Sequence, residues 1–183
     1  IFDLVIGVNL FVLLFVPMLL IAVLVILTSK GAAIHWSSRI GLNNEIFKMP
    51  KFRSMTEDVP NVATHLMQDS DRFLPSLGGF LRRFSLDELP QLFSIIKGDM
   101  SFVGPRPALF NQDDLIALRK KNGVDRLIPG LTGWAQVNGR DDISIAEKVA
   151  LEVEYSRKKS FRFDLHIILL TILRVVKKDG VSH

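Results

Sequence analysis

The 183 residues are 48% hydrophobic and 23% charged and contain no cysteine, which excludes disulfides and thiolate-held metals. The net charge of +4 suits nucleic acid, anionic lipid headgroups or phosphate-bearing substrates; no nucleic-acid reader motif accompanies it, so nucleic acid falls well behind and is not expected as a partner. A mean hydropathy of +0.28 beside that much charge requires the apolar residues to be segregated along the chain.

They gather first in Leu4–Leu27, which holds no charge and one polar side chain, Asn9. The run is too long for a signal-peptide core and no small-x-small cleavage site follows, so it reads as a retained membrane segment. Ile1 rather than methionine opens the chain, which leaves room for native residues ahead of it. As a helix rising ~1.5 Å per residue the segment reaches about 36 Å, more than the ~30 Å of a bilayer's hydrocarbon. Pro17, near its middle, deprives the Leu13 carbonyl of its helical donor. Two geometries fit: a kinked transmembrane helix, or a re-entrant helix that turns at Pro17 and returns to the same face.

Ala33–Arg39 and Glu45–Phe52 flank Gly41-Leu42-Asn43-Asn44, a turn composition that predicts a β-hairpin. Thr56–Asp71, with four acids and Pro60, reads as a surface loop or short helix. Leu89, Leu92, Phe93 and Ile96 have the spacing of a helix with one buried face. Its start is either a capping box at Ser85-x-x-Glu88 or Pro90 in the first turn, the latter sitting more easily with proline's lost donor. Gly104-Pro105-Arg106-Pro107 is a stiff turn, Leu109–Asn122 a polar surface helix, Pro129–Gly133 a loop and Ile143–Lys159 a helix. Phe163–Val176 is apolar but too short to span and has basic flanks, as a helix lying in the membrane interface has.

The candidate chemistry centres on Asp87 and Glu88. Adjacent acids often do no more than cap a helix. This pair, however, sits between Arg82-Arg83 and the Gly-Pro-Arg-Pro turn, where nearby arginines favour ionised carboxylates. Such carboxylates can act as nucleophile or as oxygen ligands of Mg²⁺, and phosphoryl transfer needs charge neutralisation above all. Arg106, stiffened by its flanking prolines, can grip a phosphate with a fixed fork or serve a structural ion pair. Arg140, after Asn138-Gly139, has the same two readings, and Lys51 and Arg53 read by default as an exposed strand face. Asp69-Ser70-Asp71 matches a common acid-x-acid triplet that arises often by chance. His35, His65, His166 and His183 lack metal-ligand spacing, and neither a phosphate-binding P-loop nor a Gly-x-Ser-x-Gly elbow is present.

Four stretches in order, Lys51–Met55, Ser85–Leu92, Lys97–Pro107 and Pro129–Arg140, resemble the bacterial sugar transferases. More narrowly, the chain from about Phe2 to Lys178 resembles their small monotopic, PglC-like phosphoglycosyl transferases. The resemblance implies an α+β, mostly helical fold. Residues 1–29 would form a re-entrant helix broken at Pro17, and residues 30–183 a small cytoplasmic domain with a β-hairpin and interfacial amphipathic helices, one of them at about 163–178. It also implies Mg²⁺-dependent ping-pong transfer of a sugar 1-phosphate from a UDP-sugar to polyprenyl (undecaprenyl) phosphate, releasing UMP, at the cytoplasmic face of the bacterial inner membrane. Asp87 would be the nucleophile, Glu88 its acid/base or metal-positioning partner, and the two together the metal site. Arg106 would bind phosphate, with Lys51, Arg82 and Arg140 as further phosphate or substrate contacts. Inner-membrane phospholipids and downstream glycosyltransferases of glycoconjugate assembly are the expected partners. Val16 stands where family members often carry serine before the proline, and His35-Trp36-Ser37-Ser38 also departs from the usual pattern. A non-catalytic membrane adaptor and a glycosyltransferase releasing UDP are the rival readings, and the nucleotide released separates all three.

Overall fold

The computed structural model describes residues 1–29, 31–55, 76–139 and 143–177. The fold is mostly helical, with one N-terminal apolar helix and a small β-hairpin, as expected. Two compact units are present, the first made of Ile1–Ser37 and Lys48–Lys97, the second chiefly of Ser38–Phe47 and Gly98–Gly180.

In the first unit, α1 (Phe2–Thr28) runs through the apolar segment with Pro17 inside it. Among the described residues it is the one helix long and apolar enough to cross a membrane. One stripe packs inward. Gly7 lies against Ile95 and Ile96 of α3 (Gln91–Lys97), and Met18, Ile21, Ala22 and Val25 join a cluster with Phe52, Leu77, Leu81, Leu86 and Leu89. The opposite side, including Val12, Leu13, Val16 and Leu20, is bare, with Leu13 72% exposed. An apolar side left bare next to a packed stripe is what a helix facing lipid requires. At the end of α1, Thr28 Oγ1 and Ser29 Oγ donate to the carbonyls of Leu24 and Val25, both at 2.7 Å.

The hairpin forms as predicted from β1 (Ile34–Ile40) and β2 (Ile46–Phe52). Its turn closes with Gly41 N–H donating to Glu45 O at 2.7 Å. Asn43 and Asn44 take φ of 54° and 63°, a left-handed conformation that asparagine tolerates better than most residues. After α2 (Ser76–Arg83) comes a 3₁₀ turn, Leu86–Glu88, and then α3. Ser85 makes no side-chain cap, while Phe93 N–H donates to Pro90 O at 3.0 Å. Pro90 thus stands immediately before α3, one residue short of the first helical position expected, and the two carboxylates lie outside the helix. The buried face of α3 is rotated from the one expected: Ile95 is buried, whereas Phe93 is 50% exposed.

The second unit contains a parallel pair absent from the sequence reading. β3 (Ser101–Val103) pairs with β4 (Gly130–Thr132), Ser101 opposite Gly130 and Val103 opposite Thr132. The stretch read as a loop at Pro129–Gly133 is therefore strand at its centre; three residues are too few to show a period. Parallel pairing needs a crossover, and α4 (Asp113–Lys121) lies within it. α4 is not a wholly polar surface helix. Leu115 and Arg119 are buried, and Leu115 joins Ala108, Val124 and Val149 in the core. α5 (Trp134–Asn138), α6 (Ile145–Lys158) and α7 (Phe161–Lys177) complete the unit. α6 opens with a full capping box between Ser144 and Glu147, whose hydrogen bonds hold the Glu147 carboxyl below its ordinary pKa. α7 buries Ile167 and leaves Phe161, Leu165, Leu169 and Ile172 exposed on an apolar face.

Candidate active site

Asp87 and Glu88 occupy the 3₁₀ turn between α2 and α3, in the first unit. Leu86 and Leu89 bracket them in sequence, and both pack on the cluster to which α1 contributes Val25. The carboxylates thus lie in a turn whose flanking leucines join the same apolar cluster as α1. Ser85, two positions before Asp87, holds φ at 54°; a non-glycine residue there costs on the order of 1 kcal/mol and persists only where its surroundings enforce it. Asp87 is buried, 6% exposed. Glu88 Oε1 accepts from Lys51 Nζ at 2.7 Å, and both side chains are nearly buried, at 18% and 17%. A carboxylate so far withdrawn from water needs a cation or donor, and β2 supplies it. Lys51 is therefore not on a freely exposed strand face.

Gln91, one turn after Asp87, is buried, and its Nε2 is a donor without a hydrogen-bond acceptor. Sequence reading passed over it, although its place in the Asp87–Gln91 run was a signal. Arg82 lies in the last turn of α2, half-buried. Arg106 belongs to the second unit, exposed between the buried prolines Pro105 and Pro107. Arg140 lies outside the described residues, as do His65, His183 and the Asp69-Ser70-Asp71 triplet. His166 stacks on Phe163, and His35 is exposed on β1.

Another residue that sequence reading missed is Arg119. From α4 its Nε donates to Glu152 Oε2 at 2.8 Å, its Nη2 meets Glu152 Oε1, and the same Nη2 donates to the Arg106 carbonyl at 2.9 Å. Its partners stand 33 and 13 positions away, so no local pattern marks it. Nearby, Lys158 and the Trp134 indole N–H bond Glu154 and hold its carboxyl below the ordinary value, the lysine contributing most.

No group of three or more His, Asp or Glu side chains converges among the described residues. Mg²⁺ is commonly held by one or two carboxylates plus substrate phosphates rather than by an all-protein cage. Asp87 and Glu88 are hard oxygen donors of that number, with one Glu88 oxygen already engaged by Lys51.

The profile of the family described as Bacterial sugar transferase matches residues 1–178. The "Uncharacterized sugar transferase EpsL" of Bacillus subtilis is 41% identical over 79% of this chain and 70% of its own length. The "Exopolysaccharide production protein ExoY" of Rhizobium meliloti is 38% identical, covering 98% of this chain and 85% of that protein. The "UDP-glucose:undecaprenyl-phosphate glucose-1-phosphate transferase" of Escherichia coli is 39% identical over 84% of this chain, but over only 35% of its own greater length.

Proposed function

The chain belongs to the bacterial sugar transferase family, and from that premise we propose that it transfers a sugar 1-phosphate from a UDP-sugar to polyprenyl phosphate at the cytoplasmic face of the inner membrane. The observation that carries this reading is that Leu86 and Leu89, which flank Asp87 and Glu88, pack into the same apolar cluster as α1. A reaction whose acceptor is a lipid phosphate needs its carboxylates beside the membrane element. The transferase from Escherichia coli, with the chemistry its name states, supports the same donor and acceptor classes.

The Asp87 carboxylate attacks the β-phosphorus of the UDP-sugar. The bond from that phosphorus to the bridging oxygen breaks, and UMP departs with the electron pair. The sugar phosphate is left as an acyl phosphate on Asp87. A phosphate oxygen of the polyprenyl carrier then attacks the same phosphorus, giving the lipid diphosphate-sugar and restoring the carboxylate. Glu88, held by Lys51, orients the pair, and Arg106 neutralises phosphate charge through its planar fork. Lys51, Arg82 and Arg140 serve as further phosphate or substrate contacts. Mg²⁺, held by Asp87 with Glu88, would supply further charge neutralisation on the phosphates.

Incubating the protein with Mg²⁺ and a panel of UDP-sugars, without lipid, tests this by nucleotide analysis and intact-protein mass spectrometry. Wild type should release UMP and gain the mass of one sugar phosphate, and Asp87→Asn should do neither. With polyprenyl phosphate added as acceptor, release of UDP in place of UMP would establish plain glycosyl transfer instead. An adduct on the Asp87→Asn protein would remove Asp87 as nucleophile.

A further inference from the structure

We propose that Arg119 and Glu152 are positioning residues that aim the Arg106 guanidinium, an inference that rests on the reading of Arg106 as a phosphate contact. Four consecutive carbonyls of the Arg106 loop each accept a hydrogen bond from a different donor of the second unit. Pro105 O accepts from Gly130 N–H at 2.9 Å, Arg106 O from Arg119 Nη2 at 2.9 Å, Pro107 O from Arg39 Nη1 at 3.3 Å, and Ala108 O from Ile40 N–H at 2.9 Å. Fixing the direction of a carbonyl fixes ψ of its own residue, because the peptide unit beyond it is planar. Pro107 narrows that ψ further. The stem of the Arg106 side chain therefore leaves a backbone that is already set, while the residue itself remains exposed between two buried prolines.

The bond on the Arg106 carbonyl is the one that takes its strength from a buried ion pair. Arg119 is 7% and Glu152 2% exposed. Replacing such a pair by apolar side chains is often neutral or stabilising, so stability alone is a poor account of it. What the pair does provide is geometry. Two donors of the Arg119 fork meet the two oxygens of Glu152, and the second hydrogen of Nη2 points at the Arg106 carbonyl. Lysine, a single ammonium on a flexible stem, does not reproduce a planar fork with three fixed bonds. Phosphoryl transfer rewards charge that is in place before the reaction starts, and a displacement of about 1 Å can lower a rate roughly 100-fold.

The test is a double-mutant cycle of Arg119→Lys and Arg106→Lys in the full chain, read as kcat and KM for UMP release and accompanied by amide hydrogen exchange of residues 101–109 without substrate. Arg119→Lys should lower kcat/KM between about 10- and 100-fold in the wild-type background and less than about twofold when Arg106 is already lysine. Exchange at Gly104, Arg106 and Ala108 should accelerate. Glu152→Gln, which keeps shape and acceptor but removes the charge, should give the same pattern more mildly and serves if Arg119→Lys fails to fold. Equal losses in both Arg106 backgrounds, or unaltered exchange in the loop, would overturn the proposal. A wild-type chain that releases no UMP from any UDP-sugar would refute the function reading instead, and the exchange measurement would then still decide whether Arg119 pins the loop.

Discussion

Lys51 Nζ and Glu88 Oε1 meet at 2.7 Å, with both side chains largely out of water. Removing the cation would take the Lys51 ammonium away from Glu88, which lies next to Asp87, a buried carboxylate, and breaking a largely buried ion pair from one side is destabilising. Lys51→Met should therefore cost roughly 1–3 kcal/mol of stability and about tenfold or more in UMP release. Adding Glu88→Gln to Lys51→Met should restore most of the stability, because the charge is gone, but no activity. Thermal unfolding and initial rates on wild type, Lys51→Met, Glu88→Gln and the double variant decide the matter: recovery of activity in the double variant would show that Lys51 and Glu88 only hold the fold together. At this scale the sequence was partly legible. Asp87, Glu88 and Lys51 stood out by type and motif, but the pairing of Lys51 with Glu88 spans 37 positions and comes from strand packing. Arg119 looked like one more basic residue on a polar helix until α6 brought Glu152 to it.

Among the elements, the parallel strands β3 and β4 depend on three glycines that bring backbones together. A Cβ on Gly130 would lie 2.0 Å from the Gly104 nitrogen, one on Gly104 2.3 Å from the Ile128 oxygen, and one on Gly133 2.1 Å from the Gly104 oxygen. These obstacles are main-chain atoms, so no side-chain rotation relieves them. Gly130→Ala should cost at least about 3 kcal/mol, at the upper end for overpacking, and should separate the strands. Gly79 in α2, where a Cβ meets nothing within 4 Å, supplies the contrast, since alanine there should be neutral or stabilise by about 0.5–1 kcal/mol. Denaturant unfolding followed by circular dichroism compares the two; a Gly130→Ala protein as stable as wild type would contradict this account of β3 and β4. The Gly-Pro and Pro-Gly-Leu-Thr-Gly stretches thus have a backbone reason for their glycines, separate from any contact with substrate.

For the whole molecule, the placement of α1 sets how the protein meets the membrane. Gly7 near its start packs on α3, and Val25 near its end packs with Phe52 and Leu81, all within the first unit. A helix held to one globular unit at both ends should keep both ends on that unit's side of the bilayer, as the re-entrant reading with a turn at Pro17 requires. Single cysteines placed at Ile1 and Ser29 should therefore react with an impermeant reagent from the cytoplasmic side and not from outside intact cells. Labelling of the Ile1 position from outside would establish a true span. Pro17→Leu should move the population toward that span, because it restores a donor for the Leu13 carbonyl in the middle of the apolar segment.

The sequence by itself determined the apolar N-terminal helix, the hairpin and the long helices α6 and α7, because each rests on a local signal: an unbroken apolar run, a turn composition whose asparagines accept a left-handed conformation, or a helix-length stretch free of proline and glycine. It also determined which carboxylates to watch, since Asp87 and Glu88 are adjacent and lie in a long motif. The tertiary structure alone decided that Phe93 faces outward while Ile95 is buried, that three residues after Pro129 form a parallel strand, and that Arg119 and Glu152 meet beneath the Arg106 loop. Each of those depends on contacts between segments far apart in the chain. Strand pairing and buried ion pairs draw their energy from partners that no short window of residues contains.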